Sequence, residues 1–132
     1  MTPEECDAFL RTTRIATLCT LNEDGSPNAL PLWYEWDGSR VLMFSSSDTA
    51  KIRRLREDPR ACLSVHDPVG APEAWVSVEG TVEIEADGGQ ALALKLAGRY
   101  YTGDKLEATL AAWSRKENFV LLVLRPETMR SY

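Results

Sequence analysis

The sequence predicts a mainly β protein with helices, an α+β antiparallel barrel of six strands, and three observations lead there. Six runs alternate apolar and polar residues with a period of two. The early runs are joined by turns too short for a parallel crossover. Segments with helical spacing fall at the N-terminus, in the middle and before the last strand, where they can cover a barrel. The 132 residues form one domain, 1–132, with no repeat, low-complexity tract or break in composition to mark a linker.

Each element follows from local chemistry. Thr2 and Pro3 followed by Glu4 and Glu5 open a helix over 3–12, with Phe9 and Leu10 on its apolar face. The run 14–21 then alternates Ile15, Thr17, Cys19 and Leu21 against Ala16, Leu18 and Thr20, and "NEDGS" supplies the hairpin turn. The return strand, 27–36, places Leu30, Leu32, Tyr34 and Trp36 on one face, and Pro31 within it demands an edge or a bulge. Asp37 and Gly38 turn the chain into a third strand, "RVLMFSS". A short helix follows, with Ser47 or Asp48 as its N-cap, Ile52 and Leu55 on one face, and Pro59 as its stop. Residues 60–67 form the fourth strand and 74–86 the fifth, with Gly80 at a bulge. Residues 87–116 are helical with a break near Thr102 and Gly103, and "NFVLLVLRPETMRSY" closes as the sixth strand.

Charge is unevenly spread. The chain carries a formal −5, yet within residues 50–60 Lys51, Arg53, Arg54, Arg56 and Arg60 stand against only Glu57 and Asp58, a local +3. Such an island is either a solvated helix face or an anion site. Lys51 falls in the first helical turn, where free N–H groups and the helix dipole favour an anion, and Ser45, Ser46, Ser47 and Thr49 crowd the entrance. No Gly-rich phosphate loop is present, so nucleotide triphosphate hydrolysis is not indicated. The acidic balance disfavours nucleic acid as a partner. No apolar run approaches the length of about 20 residues that a membrane span requires. "MTPEECDAF" lacks a secretory leader's apolar stretch and the three cysteines lack CxxC spacing, so the expected compartment is the cytoplasm, with reduced thiols.

Other candidates are weaker. Trp33 and Tyr34 either wall a ring-binding cleft or belong to the core or a dimer interface. His66, Cys62 and Ser64 share a strand face, but two potential ligands make no closed metal site, and nothing marks either cysteine or histidine as activated. Glu83 and Glu85 read as solvated carboxylates. With no evident acid, base or nucleophile, no catalytic side chain is assigned, and an enzyme on this chain would rely on a cofactor.

The stretch from "RIATLCTL" through "AKIRRLREDPRACLSVHD", then "VSVEGTVEI" and the ending "LLVLRPETMRSY", resembles the pyridoxamine 5'-phosphate oxidase-like split β-barrels that bind flavin or deazaflavin, and within them the branch using coenzyme F420. The resemblance implies a homodimer with the cofactor at the interface and a reductase that passes hydride from reduced F420 to a small unsaturated organic substrate. An FMN-binding oxidoreductase on the same barrel, or a non-catalytic cofactor carrier, is the alternative. It implies further that Ser45, Ser46 and Lys51 hold the cofactor phosphate, with Thr49 and Ala50 at the helix entrance; some relatives carry an Arg where Thr49 stands. Pro31, Leu32 and Trp33 would lie along the ring system, and Trp75 and Val76 would come from the partner subunit. The glutamate-extended tail of F420 would find Lys51, Arg53, Arg54 and Arg56 attractive. Tyr34 is a candidate proton source or ring wall, with solvent and simple packing as the other readings.

Overall fold

The computed structural model describes all 132 residues, in four helices and seven strands. In chain order these are α1 (Pro3–Arg11), β1 (Ala16–Leu21), β2 (Pro27–Leu32), β3 (Glu35–Trp36), β4 (Val41–Ser46), α2 (Ala50–Glu57), β5 (Arg60–His66), β6 (Trp75–Glu85), α3 (Gly89–Tyr100), α4 (Gly103–Trp113) and β7 (Phe119–Ser131). The strands form one antiparallel sheet in the order β2-β1-β5-β6-β7-β4-β3.

Connectivity alone dictates the curvature of that sheet. β2 and β3 are its two edges, yet only Trp33 and Tyr34 separate them in the chain. From Leu32 to Glu35 an extended chain reaches at most about 10 Å, whereas the edges of a flat seven-stranded sheet would lie roughly 29 Å apart. The sheet must therefore curl until its edges nearly meet, giving a half-barrel with an unzipped seam. This corrects the six-strand expectation. The period-two pattern of 27–36 is continuous, but the chain leaves one edge of the sheet at Leu32 and joins the other at Glu35. Pro31 sits on edge strand β2, where its missing N–H costs no ladder bond.

The curled sheet encloses a core built from alternate residues of each strand, including Leu18, Met43, Leu63, Val78 and Leu122, all essentially inaccessible. A second apolar layer lies outside it, where Leu92, Ala93, Leu96 and Ala97 of α3 are buried and the helix packs on β4 and β7. α1 is capped as its sequence indicates: Thr2 Oγ1 accepts from Glu5 N–H and the Glu5 carboxylate from Thr2 N–H, a capping box. α2 is anchored by Ile52 and Leu55, each worth roughly 1.5–3 kcal/mol in burial. Its N-cap is Thr49 rather than Ser47 or Asp48, because the turn from β4 extends one residue further. No helix is long and apolar enough to cross a membrane.

Candidate functional site

At the seam a cleft of about 380 Å³ is lined by Leu32, Trp33, Phe44, Lys51, Tyr101 and Trp113. Each wall has a separate origin. Leu32 ends β2 and Trp33 lies in the crossover; the next residue, Tyr34, turns inward, and its buried O–H donates to the Leu10 carbonyl at 2.9 Å. Burial drives the Tyr34 phenol well above its usual range, so it stays protonated and committed to α1. Tyr34 is thus a packed aromatic and does not line the cleft. Trp36 is fixed likewise, donating from Nε1 to Asp7 Oδ1 at 2.8 Å.

Trp33 itself is held by the helical cover. It stacks on Tyr100 with ring centroids 4.6 Å apart and planes 5° from parallel, and meets Tyr101 edge to face at 4.8 Å. The Tyr100 O–H donates to the Arg14 carbonyl at 2.6 Å, which locks the stacking platform. Trp113 closes the far side against Phe44 (5.4 Å) and Phe119 (5.6 Å). The end of α4 is tied down by Gln90, whose Nε2 donates to the carbonyls of Trp113, Ser114 and Lys116 at 2.9–3.0 Å. A rigid aromatic wall results, suited to a planar ligand.

The polar side of the cleft is Lys51. It is half-buried and has no carboxylate partner, and none of the other three α2 cations forms an ion pair either. Burial holds the Lys51 ammonium below the ordinary lysine range, and the Arg54 guanidinium pushes the same way. Arg54 donates from Nε to Thr20 Oγ1 at 2.9 Å, and Arg53 reaches the Asp48 carbonyl. The Thr49 hydroxyl is drawn toward the end of β4, 2.9 Å from Ser45 Oγ and 3.3 Å from the Ser46 carbonyl, so no side chain caps the first N–H groups of α2. Opposite Thr20 on β2, Asn28 buries an amide oxygen that has no hydrogen-bond partner. Unpaired cations, an uncapped helix start and a largely aromatic cleft wall fit a ligand with an acidic portion joined to a flat ring.

The structure brings together Leu32, Trp33 and Lys51 of the residues expected from sequence. Ala50 and Arg54 lie on the same helix as Lys51, while Ser46 is half-buried at the end of β4 with a free hydroxyl. Ser45 points into the barrel, 5% exposed, with its hydroxyl donating to the Ser46 carbonyl at 2.9 Å. Pro31 is exposed on the outer face of β2, opposite Thr17. Trp75 and Val76 stand on β6, three strands from β2 and roughly 14 Å across the sheet. Val76 is wholly buried in the barrel core, and Trp75 pairs with His66. Sequence reasoning missed Phe44, Tyr101 and Trp113; the aromatics flanking the Thr102–Gly103 break were a signal for the last two.

A curled antiparallel half-barrel whose two edge strands are joined across the seam by two residues is a split-barrel fold. The chain belongs to the pyridoxamine 5'-phosphate oxidase family, whose sequence profile matches residues 2–132. Among solved structures it is similar to an F420 reductase, at 27% identity over 94% of each chain with a TM-score of 0.76. It is also similar to a conserved hypothetical protein from Mycobacterium tuberculosis, at 25% identity over all of this chain and 84% of that one, TM-score 0.80. An FAD-binding protein from Mesorhizobium loti shares the fold at 23% identity, covering 99% of this chain and 92% of that one, with a TM-score of 0.69. No curated relative matches the sequence.

Proposed function

We propose that the protein is an F420-dependent reductase that reduces a small unsaturated organic substrate. The observation carrying this reading is Lys51, a half-buried ammonium without a counter-ion, set at the edge of an aromatic cleft. Similarity to an F420 reductase over nearly the whole chain supports it. Bound in reduced form, F420 supplies a hydride from its ring carbon. The protein's share is placement: Leu32 and Trp33 present a flat apolar wall, and Phe44 and Trp113 keep water from one side of it. Lys51 holds the acidic part of the cofactor, and Arg54, steadied by Thr20, extends the positive field along α2. Tyr101 is the one lining side chain with an O–H, so the proton comes from Tyr101 or from water at the open mouth. A second copy of the chain completes the site in this reading, bringing its Trp75 region over the seam; light scattering should give twice the monomer mass.

Titrating the protein with F420 and with FMN, followed by fluorescence, tests the cofactor. Turnover of reduced F420 against a panel of enones and quinones tests the reaction. Tight FMN binding without F420 binding would move the assignment to an FMN oxidoreductase, and F420 binding without turnover to a carrier. Binding of neither would end it.

The affinity should also depend on pH in a defined direction. Burial lowers the Lys51 pKa in the free protein, and an anion beside it favours the charged form. Affinity is therefore complete below the free protein's Lys51 pKa. Above it, affinity falls by up to about tenfold per pH unit, beginning below the value near 10.4 of an ordinary lysine. Lys51→Arg, always charged, should flatten the profile. A parent protein whose affinity stays constant through that alkaline range would show that Lys51 does not contact the anion.

A further inference from the structure

The outer face of the sheet carries reactive groups that take no part in the seam cleft. β1 and β5 pair antiparallel with Cys19 directly opposite Cys62. Directly opposed residues have Cα atoms about 4.5–5.5 Å apart, inside the span of roughly 4.4–6.8 Å that a disulfide bridges. Both side chains point away from the core, because their neighbours Leu18 and Leu63 are the buried residues of each strand. The two thiols are partly exposed and line a cleft of about 310 Å³ beside Leu21, Pro27, Arg60 and Glu79. Cys62 Sγ lies 3.4 Å from Ser77 Oγ, turned toward β6, so its side chain must rotate toward β1 before bridging.

We infer that Cys19 and Cys62 form a cross-strand dithiol that a small-molecule disulfide oxidises to an intramolecular disulfide. One protein thiolate attacks the oxidant's S–S bond, forming a mixed disulfide and expelling one small thiolate. The second protein thiolate attacks the protein sulfur of that adduct, closing the Cys19–Cys62 bond and expelling the other small thiolate. Two electrons pass to the oxidant, and the two protons lost by the cysteines end on the two released thiols. Burial and the neighbouring Cys62 raise the Cys19 thiol above its usual range, so the reaction speeds up with pH. Cys6, on α1 in a different cleft with Met1, Pro3 and Trp36, has no opposed thiol and serves as an internal control.

Full-length protein treated with glutathione disulfide should lose two of its three free thiols and two hydrogen atoms of mass. Its unreduced peptide map should join the Cys19 and Cys62 peptides. Cys62→Ser should instead leave a glutathione adduct on Cys19 and no cross-link. The inference is overturned if the parent carries separate adducts on Cys19 and Cys62, if both thiols stay free, or if the new bond joins two copies of the chain.

Discussion

Lys51→Ala is expected to weaken F420 binding by roughly 5- to 150-fold, the equivalent of about 1–3 kcal/mol for one charge-assisted contact. Three features put the effect in that range. The ammonium lines the cleft, it is half-buried so that solvent screens it poorly, and it has no competing carboxylate. Removing it strands no partner charge, so the melting temperature should hold. Arg56→Ala supplies the contrast, since Arg56 is exposed on the same helix and binds nothing. Its loss removes one unit of the same field and should cost under about 1 kcal/mol, less at high salt. Equal losses in the two variants would reduce α2 to a diffuse positive surface and remove Lys51 as an anchor. Fluorescence titration of both variants at two salt concentrations measures all of this.

The pattern of what the sequence disclosed has a physical reason. Periodicity records which side chains share a face: Tyr34 and Trp36 are both buried while Leu30, grouped with them, is exposed, and Ile52 and Leu55 seat α2. Periodicity does not record which strand pairs with which. The passage of the chain across the seam at Trp33 leaves the alternation intact, so one strand was expected where two stand on opposite edges. The site divides the same way. Of the residues that line the cleft, Lys51 and Trp33 carry local signals, a cation at a helix start and an aromatic beside a Pro-marked edge, whereas Leu32 was expected only from the family resemblance. Phe44 offers no such signal, since it lies on the outer face of β4 and becomes a wall only when Trp113 docks 69 residues later. The Thr102–Gly103 break was readable, but the side of the barrel that the α3–α4 pair covers is set by packing on β4 and β7, a contact remote in sequence.

Gly80→Ala is expected to destabilise the fold by about 3 kcal/mol or more and to lower the melting temperature by roughly 10 °C. The cause is space. Gly80 has no left-handed backbone, so another residue could adopt its dihedrals. The register between β6 and β7 shifts there: Glu79 pairs with Thr128 and Gly80 with Pro126, which leaves Glu127 unopposed. The extra residue presses the β7 backbone onto β6, and a methyl group on Gly80 would lie 1.9 Å from the Arg125 carbonyl oxygen and 2.9 Å from its carbon. Both atoms are main chain, so no side chain can swing aside. β7 would have to move, and with it the fully buried Leu122 and Leu124, together with the Arg125–Glu83 ion pair that pins the strand at 2.8 Å. Gly98→Ala isolates the role of the site. That glycine is exposed within α3 and a methyl group there meets nothing within 4 Å, so the change should stabilise by up to about 1 kcal/mol through helix propensity. Thermal melts of the two variants should move in opposite directions. A Gly80→Ala protein melting with its parent would mean that the β6–β7 bulge yields freely and does not fix the register of the sheet's longest ladder.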